Sequence, residues 1–416
     1  MTEKMKPSGF DYLGNIPVSW DTKRFKYCVQ ICNGGEYAAI EVEEGGYPVI
    51  GSGGEFARAN KYCYRGESVL LGRKGTVDKP LYVNDAFWCV DTMFYTKAKA
   101  GMVPKFLYYC ALGFRFDYYV TATALPSMTQ KDLGSEMIAV PPTDEQHAIA
   151  DYLDVQCAKI DSVIADIEKQ IETLQKYKKS LITEAVTKGL DHSVPMKDSG
   201  IEWAQCIPAH WQTTRMQEVG KYKKGPFGSA ITLDMFIEKD ETAIKIYEQK
   251  NAIQADATLG WYYISERDFG ALTDFEVFPG DIIVSCAGTI GKCYIMPETM
   301  ERGIINQALM KITLSDEVDG DYFLSLFDVA LEYMAEKYSN GSAIKNIPPF
   351  SVLKKQHIPL PDIEEQKKIA SYIRQKGVLL DELLKEKMQQ LQVMQDHKKS
   401  LIYEYVTGKK RVTEVN

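Results

Sequence analysis

The sequence predicts an α+β fold: two β-rich mixed domains alternating with two long helices that pair antiparallel as a coiled coil, within an internal pseudo-twofold repeat. Three observations lead there. A helical stretch over residues 144–186 recurs 220 positions later. The segments ahead of the two copies open on the same motif and share later landmarks. Between those landmarks lie short β-prone runs bounded by Gly, Pro or Asp, the mark of strands and tight turns.

The repeated helix is the clearest element. Its first copy opens Pro141-Pro-Thr-Asp-Glu-Gln146 and closes Lys178-Lys-Ser-Leu-Ile-Thr-Glu184; its second opens Pro361-Asp-Ile-Glu-Glu-Gln366 and closes Lys398-Lys-Ser-Leu-Ile-Tyr-Glu404. Apolar residues fall on a three-four spacing at Ile149, Leu153, Ile160, Ile164, Ile167, Ile171, Leu174 and Leu181. The second copy answers with Ile369, Ile373, Leu380, Leu384, Leu391, Met394 and Leu401, and only Lys387 interrupts it. Such a narrow stripe is a coiled-coil seam, and each copy supplies the partner the other needs. Proline ahead of each start, with Thr143 or Asp362 as N-cap, marks where the helices begin. At 1.5 Å per residue, some 43 residues make a rod of roughly 65 Å.

The remaining chain divides accordingly. Residues 1–142 form a first domain, 143–190 the first helix, 191–361 a second domain, 362–410 the second helix and 411–416 a tail. Lys6-Pro-Ser-Gly…Ile16-Pro-Val-Ser-Trp20 is matched by Lys197-Asp-Ser-Gly…Ile207-Pro-Ala-His-Trp211. Gly66…Arg73-Lys-Gly-Thr76 parallels Gly280…Cys286-Ala-Gly-Thr289, and Ala124-Leu-Pro-Ser-Met128 faces Ala343-Ile-Lys-Asn-Ile347. The offset grows from 191 to 220, so the halves share a plan and differ in loop length. Strands are expected at 47–50, 68–71, 81–83, 282–285 and 293–296, and helices at 104–116 and 320–337. Gly189–Ser199 reads as the joint between the halves.

The bulk numbers exclude several classes. A net charge of −8 argues against a protein that coats nucleic acid by charge alone. The four segments carry +1 (1–142), −4 (143–192), −7 (193–361) and +2 (362–416), so positive charge must act through local clusters. No apolar run suits a membrane span, and the amino terminus lacks a signal-peptide core. Nine scattered cysteines without a C-x-x-C pair suggest reduced thiols and a cytoplasmic protein.

Catalytic motifs fail one by one. Asn346-Ile-Pro-Pro-Phe350 separates its polar residue from the prolines, which an amino-methyltransferase motif does not permit. Pro361-Asp362 with Glu365 and Lys367 has nuclease residue types, but they fall in the first turn of a helix, where acids are favoured anyway. Gly288-Thr-Ile-Gly-Lys292 lacks phosphate-loop spacing, Gly51-Ser-Gly-Gly54 reads as a turn, and the five histidines have no metal spacing. A non-catalytic protein without a metal or cofactor of its own is expected. What remains are basic, glycine-bearing loops: Arg58, Lys61, Arg73, Lys74 and Thr76 in the first half; Lys221, Lys223, Lys224, Phe227 and Ser229, then Gln249, Lys250 and Asn251, in the second. Such side chains neutralise phosphates and read base edges. The bland alternative is solvated turns on a coiled-coil scaffold or adaptor that binds no DNA.

Taken together, Ile16-Pro-x-x-Trp20 and Ile207-Pro-x-x-Trp211, Lys224-Gly-Pro-Phe-Gly-Ser229, the two glycine-bracketed runs and the two Pro…Glu-Gln helix starts resemble the specificity subunit of a type I restriction–modification enzyme. The resemblance covers nearly the whole chain. It implies two target-recognition domains, each reading one half of a split, asymmetric DNA sequence, with the helices as a ruler for the gap. It also implies two copies of a DNA adenine methyltransferase subunit and a restriction/translocase subunit. S-adenosylmethionine, ATP and magnesium would reside on those partners. Arg73 faces Cys286 in the second half, which suits a base contact private to the first.

Overall fold

The structure is a computed structural model and describes residues 4–119, 126–287, 289–338 and 350–412. Gly288, the Ala124–Leu125 part of one landmark, the Ala343–Ile347 landmark and the Asn346–Phe350 motif lie outside those residues or at their edge. The chain divides into two compact units, Met1–Ile171 with Glu386–Asn416, and Glu172–Lys385. The division falls inside both long helices.

In the first unit a hairpin pairs Met5–Pro7 with Asn15–Pro17, and Asp21–Arg24 pairs with Met137–Val140. An antiparallel four-stranded sheet runs in the order Leu81–Val83, Ser68–Gly72, Met93–Ala98, Val29–Asn33. A five-stranded sheet runs Glu41–Val42, Gly54–Ala59, Tyr47–Gly51, Ala86–Cys89, Tyr64–Arg65, with Tyr47–Gly51 parallel to Ala86–Cys89. The second unit repeats this plan strand for strand. Its four-stranded sheet is Cys293–Ile295, Ile282–Ser285, Leu309–Leu314, Gly220–Lys224. Its five-stranded sheet is Phe236–Ile237, Tyr263–Ile264, Ile244–Tyr247, Gly303–Ile305, Glu276–Val277, again with one parallel pair at the centre. Ser68–Gly72 and Ile282–Ser285 are buried on both faces, which is why their sequences run apolar without alternation.

Strands expected at 81–83 and 282–285 are found at those bounds, and the other three differ by one residue at one end. The helix expected over 320–337 spans Gly320–Tyr338. The one expected over 104–116 ends at Leu112, because Gly113 follows, and a short turn resumes at Phe116. Part of the supposed joint is structured: Met196–Asp198 pairs with Cys206–Pro208.

The long helices span Thr143–Lys188 and Ile363–Val406. In the first unit Lys398 Nζ lies 2.6 Å from Asp161 Oδ1, and the Tyr152 and Tyr405 ring centroids are 4.6 Å apart, so the helices run antiparallel. In the second unit Lys178 bonds Asp381 at 2.5 Å, while Ala185, Val186, Ile369 and Ala370 share one core. Asp161 and Lys178, each advanced by 220, become Asp381 and Lys398, so the two ion pairs are one interaction written twice. Along the stripe, Ile149, Leu153, Ile160, Ile167, Leu181, Ile369 and Leu380 are buried. Ile164, Ile171, Leu174, Ile373, Leu384, Leu391, Met394 and Leu401 are half-buried.

The duplicated motifs anchor these helices. Gln146 accepts from Val103 N (2.9 Å) and donates to the carbonyls of Gly101 (3.1 Å) and Pro141 (3.0 Å). Gln366 accepts from Asp319 N (2.9 Å) and donates to Glu317 O (3.0 Å) and Pro361 O (2.9 Å). Glu145 takes the indole N–H of buried Trp20 at 3.0 Å, and Glu365 takes His210, beside Trp211, at 2.9 Å. The opposite helix ends close on the same tryptophans through glycines in the left-handed conformation, Gly408 (φ +70°) at Pro17 and Trp20 and Gly189 (φ +73°) at Trp211. Asp362 caps the second helix by accepting from Glu365 N at 2.9 Å. Thr143 does not cap the first; its hydroxyl donates to Gly101 O at 3.2 Å.

Candidate nucleic-acid interface

In the first unit Arg73, Lys74 and Thr76 sit on the turn after Ser68–Gly72. Gly75 adopts φ +80°, and a Cβ on Gly72 would stand 2.4 Å from Thr76 O, so the turn needs glycine at both places. Arg73 N donates to Thr92 O (2.9 Å), its guanidinium to Asp91 O (3.2 Å), and Gly75 N to Pro126 O (2.9 Å). The Arg73 guanidinium lies 5.9 Å from the Phe94 ring centroid. The turn is thereby locked against residues 91–92 and 126–128, with Lys74 and Thr76 exposed. Arg58 and Lys61 stand elsewhere. Arg58 lies near the far end of Gly54–Ala59, paired with Glu55 at 2.9 Å, and Lys61 is exposed in the following bend.

The second unit builds the equivalent edge from different side chains. Cys286 N donates to Ala308 O (2.8 Å) as Arg73 N does to Thr92 O, so Cys286 occupies the place of Arg73. Gly225 lies where a Cβ would meet Asn306 O at 1.9 Å, and Gly34 where one would meet Val90 O at 1.9 Å. Past Gly225, Phe227 is 89% exposed and Ser229 is exposed beside it. Lys224 lies close enough to Cys286 to oppose the rise that burial causes in its thiol pKa. The Gln249 amide donates to Ala287 O, joining the residues after Ile244–Tyr247 to the same turn. Lys224 and Gln249 are thus brought to the turn at 286–287, with Phe227 and Ser229 following Gly225, and Lys250 following Gln249, along the chain.

Three expected contacts are placed otherwise. Lys221 pairs toward the far end of its strand, opposite Thr313. Lys223 is engaged by Asp274 at 2.7 Å and packs on Phe275. Asn251 is wholly buried: its Oδ1 accepts from Glu248 N (2.8 Å), and its amide donates to Asp256 O (2.9 Å) and Leu259 O (2.8 Å). Every polar atom of that side chain shapes the loop, leaving none for a ligand.

Sequence reading missed Lys245, which is 1% exposed within Ile244–Tyr247. Its ammonium donates to Ala257 O (2.8 Å) and Thr258 O (3.1 Å) and meets Glu301 at 3.2 Å. Burial alone would raise the Glu301 carboxyl, but Lys239 and Lys245 outweigh it and hold the group below its usual range. The available signal was one lysine inside the apolar run Ala243-Ile-Lys-Ile-Tyr247. Among the described residues no group of three or more His, Cys, Asp or Glu is arranged to hold a metal ion, and no helix is long and apolar enough to cross a membrane.

Set beside known proteins, the duplicated frame has a clear match. A family model described as the type I restriction modification DNA specificity domain fits residues 17–173 and again 208–393. The chain belongs to the type I restriction–modification specificity family. It is 24% identical over 427 aligned positions to the type I restriction enzyme MjaVIII specificity subunit of Methanocaldococcus jannaschii, covering 96% of this chain and 95% of that one. It is 27% identical to the putative MjaX specificity subunit of the same organism, over 76% of this chain and 70% of that one. A solved structure described as "Structural basis underlying complex assembly and conformational transition of the type I R-M system" superposes with a TM-score of 0.68 over 95% of this chain and 99% of that one, at 14% identity. That likeness is one of fold. As a member of the specificity family, the chain is a non-catalytic subunit of a restriction–modification system.

Proposed function

We propose that the chain reads a split, asymmetric DNA sequence, residues 1–142 contacting one half-site and 191–361 the other, with the helices at 143–190 and 362–410 setting the gap. One observation carries this reading: a common strand frame bears different side chains at equivalent places, Arg73 against Cys286 above all. Two readers of different sequences require that combination. Paired Lys and Arg contacts supply sequence-independent affinity, and Arg73 and Gln249 have the fork and amide geometry that discriminates bases.

The partners in this reading are two DNA adenine methyltransferase subunits and a restriction/translocase subunit, which would bring S-adenosylmethionine, ATP and magnesium. Acting on intracellular DNA, the assembly would be cytoplasmic. Val163 and Leu383, equivalent under the 220-residue repeat, are 43% and 44% exposed on the two long helices. A matched pair of apolar positions suits two copies of one partner. Such partners would also complete a positive clamp that an acidic chain cannot form alone.

The test is to co-express the chain with its methyltransferase subunits and map methylated adenines across a genome. A bipartite motif with a fixed gap is expected. Arg73→Ala should relax one half-site alone by about 1–3 kcal/mol of discrimination. Methylation lacking a split motif, or an Arg73→Ala effect spread over both halves, would refute the reading.

A further inference from the structure

In the first unit Tyr47–Gly51 and Gly54–Ala59 are joined by Ser52 and Gly53 alone. The equivalent strands of the second unit, Ile244–Tyr247 and Tyr263–Ile264, are separated by residues 248–262. The inserted loop is held with unusual thoroughness. Four successive carbonyls, Asp256 to Leu259, each accept from a buried side chain: the outer two from Asn251, the inner two from Lys245. Burying an ammonium is costly even beside a carboxylate. Joining two strands needs no such device, as Ser52-Gly53 demonstrates. A conformation is being fixed.

What that conformation presents follows at once. Trp261 is 73% exposed, and the Lys250 ammonium lies 4.5 Å from its ring centroid, steadied by Glu248 at 2.8 Å. Gly260, at φ +98°, leaves the space in which a Cβ would stand 3.4 Å from both the Glu248 and Lys250 side chains. An indole carrying a cation, on a braced loop, is suited to meet phosphate and apolar base edges together. The Gln249 bond to Ala287 O joins this loop to the edge already described. The device is private to one unit. A partner bound with the symmetry of the repeat would call for it in both, whereas a half-site read by one domain calls for it once.

We propose that Trp261, with Lys250, is a specificity-determining contact of the second unit with double-stranded DNA, and that Lys245 and Asn251 are its positioning residues. This inference rests on the DNA-recognition reading above. The experiment compares Trp261→Ala, Trp261→Phe, Lys250→Ala and Lys245→Met in the assembled methyltransferase complex, by methylome mapping and salt-dependent binding of a duplex carrying the mapped motif. Trp261→Ala should cut modification of that motif roughly tenfold or more and relax one half-site. Trp261→Phe should keep most of it. Lys250→Ala should lower the salt slope by about one. Lys245→Met should relax the same half-site as Trp261→Ala, which a general loss of stability would not do. Unchanged bases and extent in Trp261→Ala, or equal relaxation of both half-sites, overturns the inference while the wild-type bipartite motif still supports the recognition reading. A wild-type complex with no bipartite motif overturns both.

Discussion

At the scale of single residues, the motifs that identify this chain build its frame. Ile16, Trp20, Ile207 and Trp211 are at most 1% exposed, so Ile-Pro-x-x-Trp is core and not contact surface. The glutamine of Pro…Glu-Gln ties each helix start to an adjoining segment by two hydrogen bonds and to the proline ahead of the helix by a third, a role that helix periodicity gives no hint of. Leucine at that position would strip the partner from one buried N–H and two carbonyls in the second unit, and from one N–H and one carbonyl in the first, where Thr143 still donates to Gly101 O. Gln146→Leu and Gln366→Leu should therefore each lose about 2–4 kcal/mol. Because the glutamine's own bonds correspond one for one and the extra Thr143 bond to Gly101 O softens only the first loss, the two should agree to within about 1 kcal/mol, with Gln366→Leu the larger. Denaturant unfolding of the two variants measures both. A loss under about 0.5 kcal/mol, the scale of an ordinary surface substitution, would show that the amide is dispensable.

At the scale of elements, the long helices were the most legible part of the sequence, because a three-four stripe sustained over 40 positions has only one structural solution. Strand positions were legible where turns bracket an apolar run, as at Ile282–Ser285. Strand order was not: which strands pair depends on contacts between distant segments that no local pattern encodes. The helix pair itself is held by its stripe more than by its charges. Asp161 and Asp381 are 52% and 61% exposed, and ion pairs so open to water contribute about 0–1 kcal/mol. Ile160 and Leu380, one position earlier in each copy, are buried, and truncating such residues costs about 2–5 kcal/mol. Ile160→Ala and Leu380→Ala should thus destabilise well beyond Asp161→Ala and Asp381→Ala. Chemical denaturation of the four variants decides it, and the reverse order would make the helix pair an electrostatic assembly that weakens with salt.

At the scale of the whole molecule, doubling was legible because both copies carry the same anchoring residues, while the surroundings of the proposed contact residues were only partly so. Arg73, Lys74, Lys224 and Gln249, the side chains proposed to meet DNA, stand out in the sequence because turns with basic groups are visible locally. The burial of Asn251 is not legible, because an amide that reads a base and one that closes a loop look alike in one dimension, and nothing local marks the loop before Trp261 as one braced by Lys245 and Asn251. The repeat itself dictates how the proposed ruler should be tested. Asp161 meets Lys398 and Lys178 meets Asp381, a constant register that sets Gln170 against Gln389. Four residues inserted after Gln170 alone would shift one helix against the other by about 6 Å and break that register. Matched insertions of four helix-forming residues after Gln170 and Gln389 preserve the ion pairs on either side while lengthening both rods by about 6 Å. On DNA rising about 3.4 Å per base pair, the methylated motif should keep both half-sites and widen its gap by about two base pairs. Methylome mapping reads the gap and the half-sites in one measurement. An unchanged gap in a folded, active double insertion would mean that something other than these helices sets the spacing.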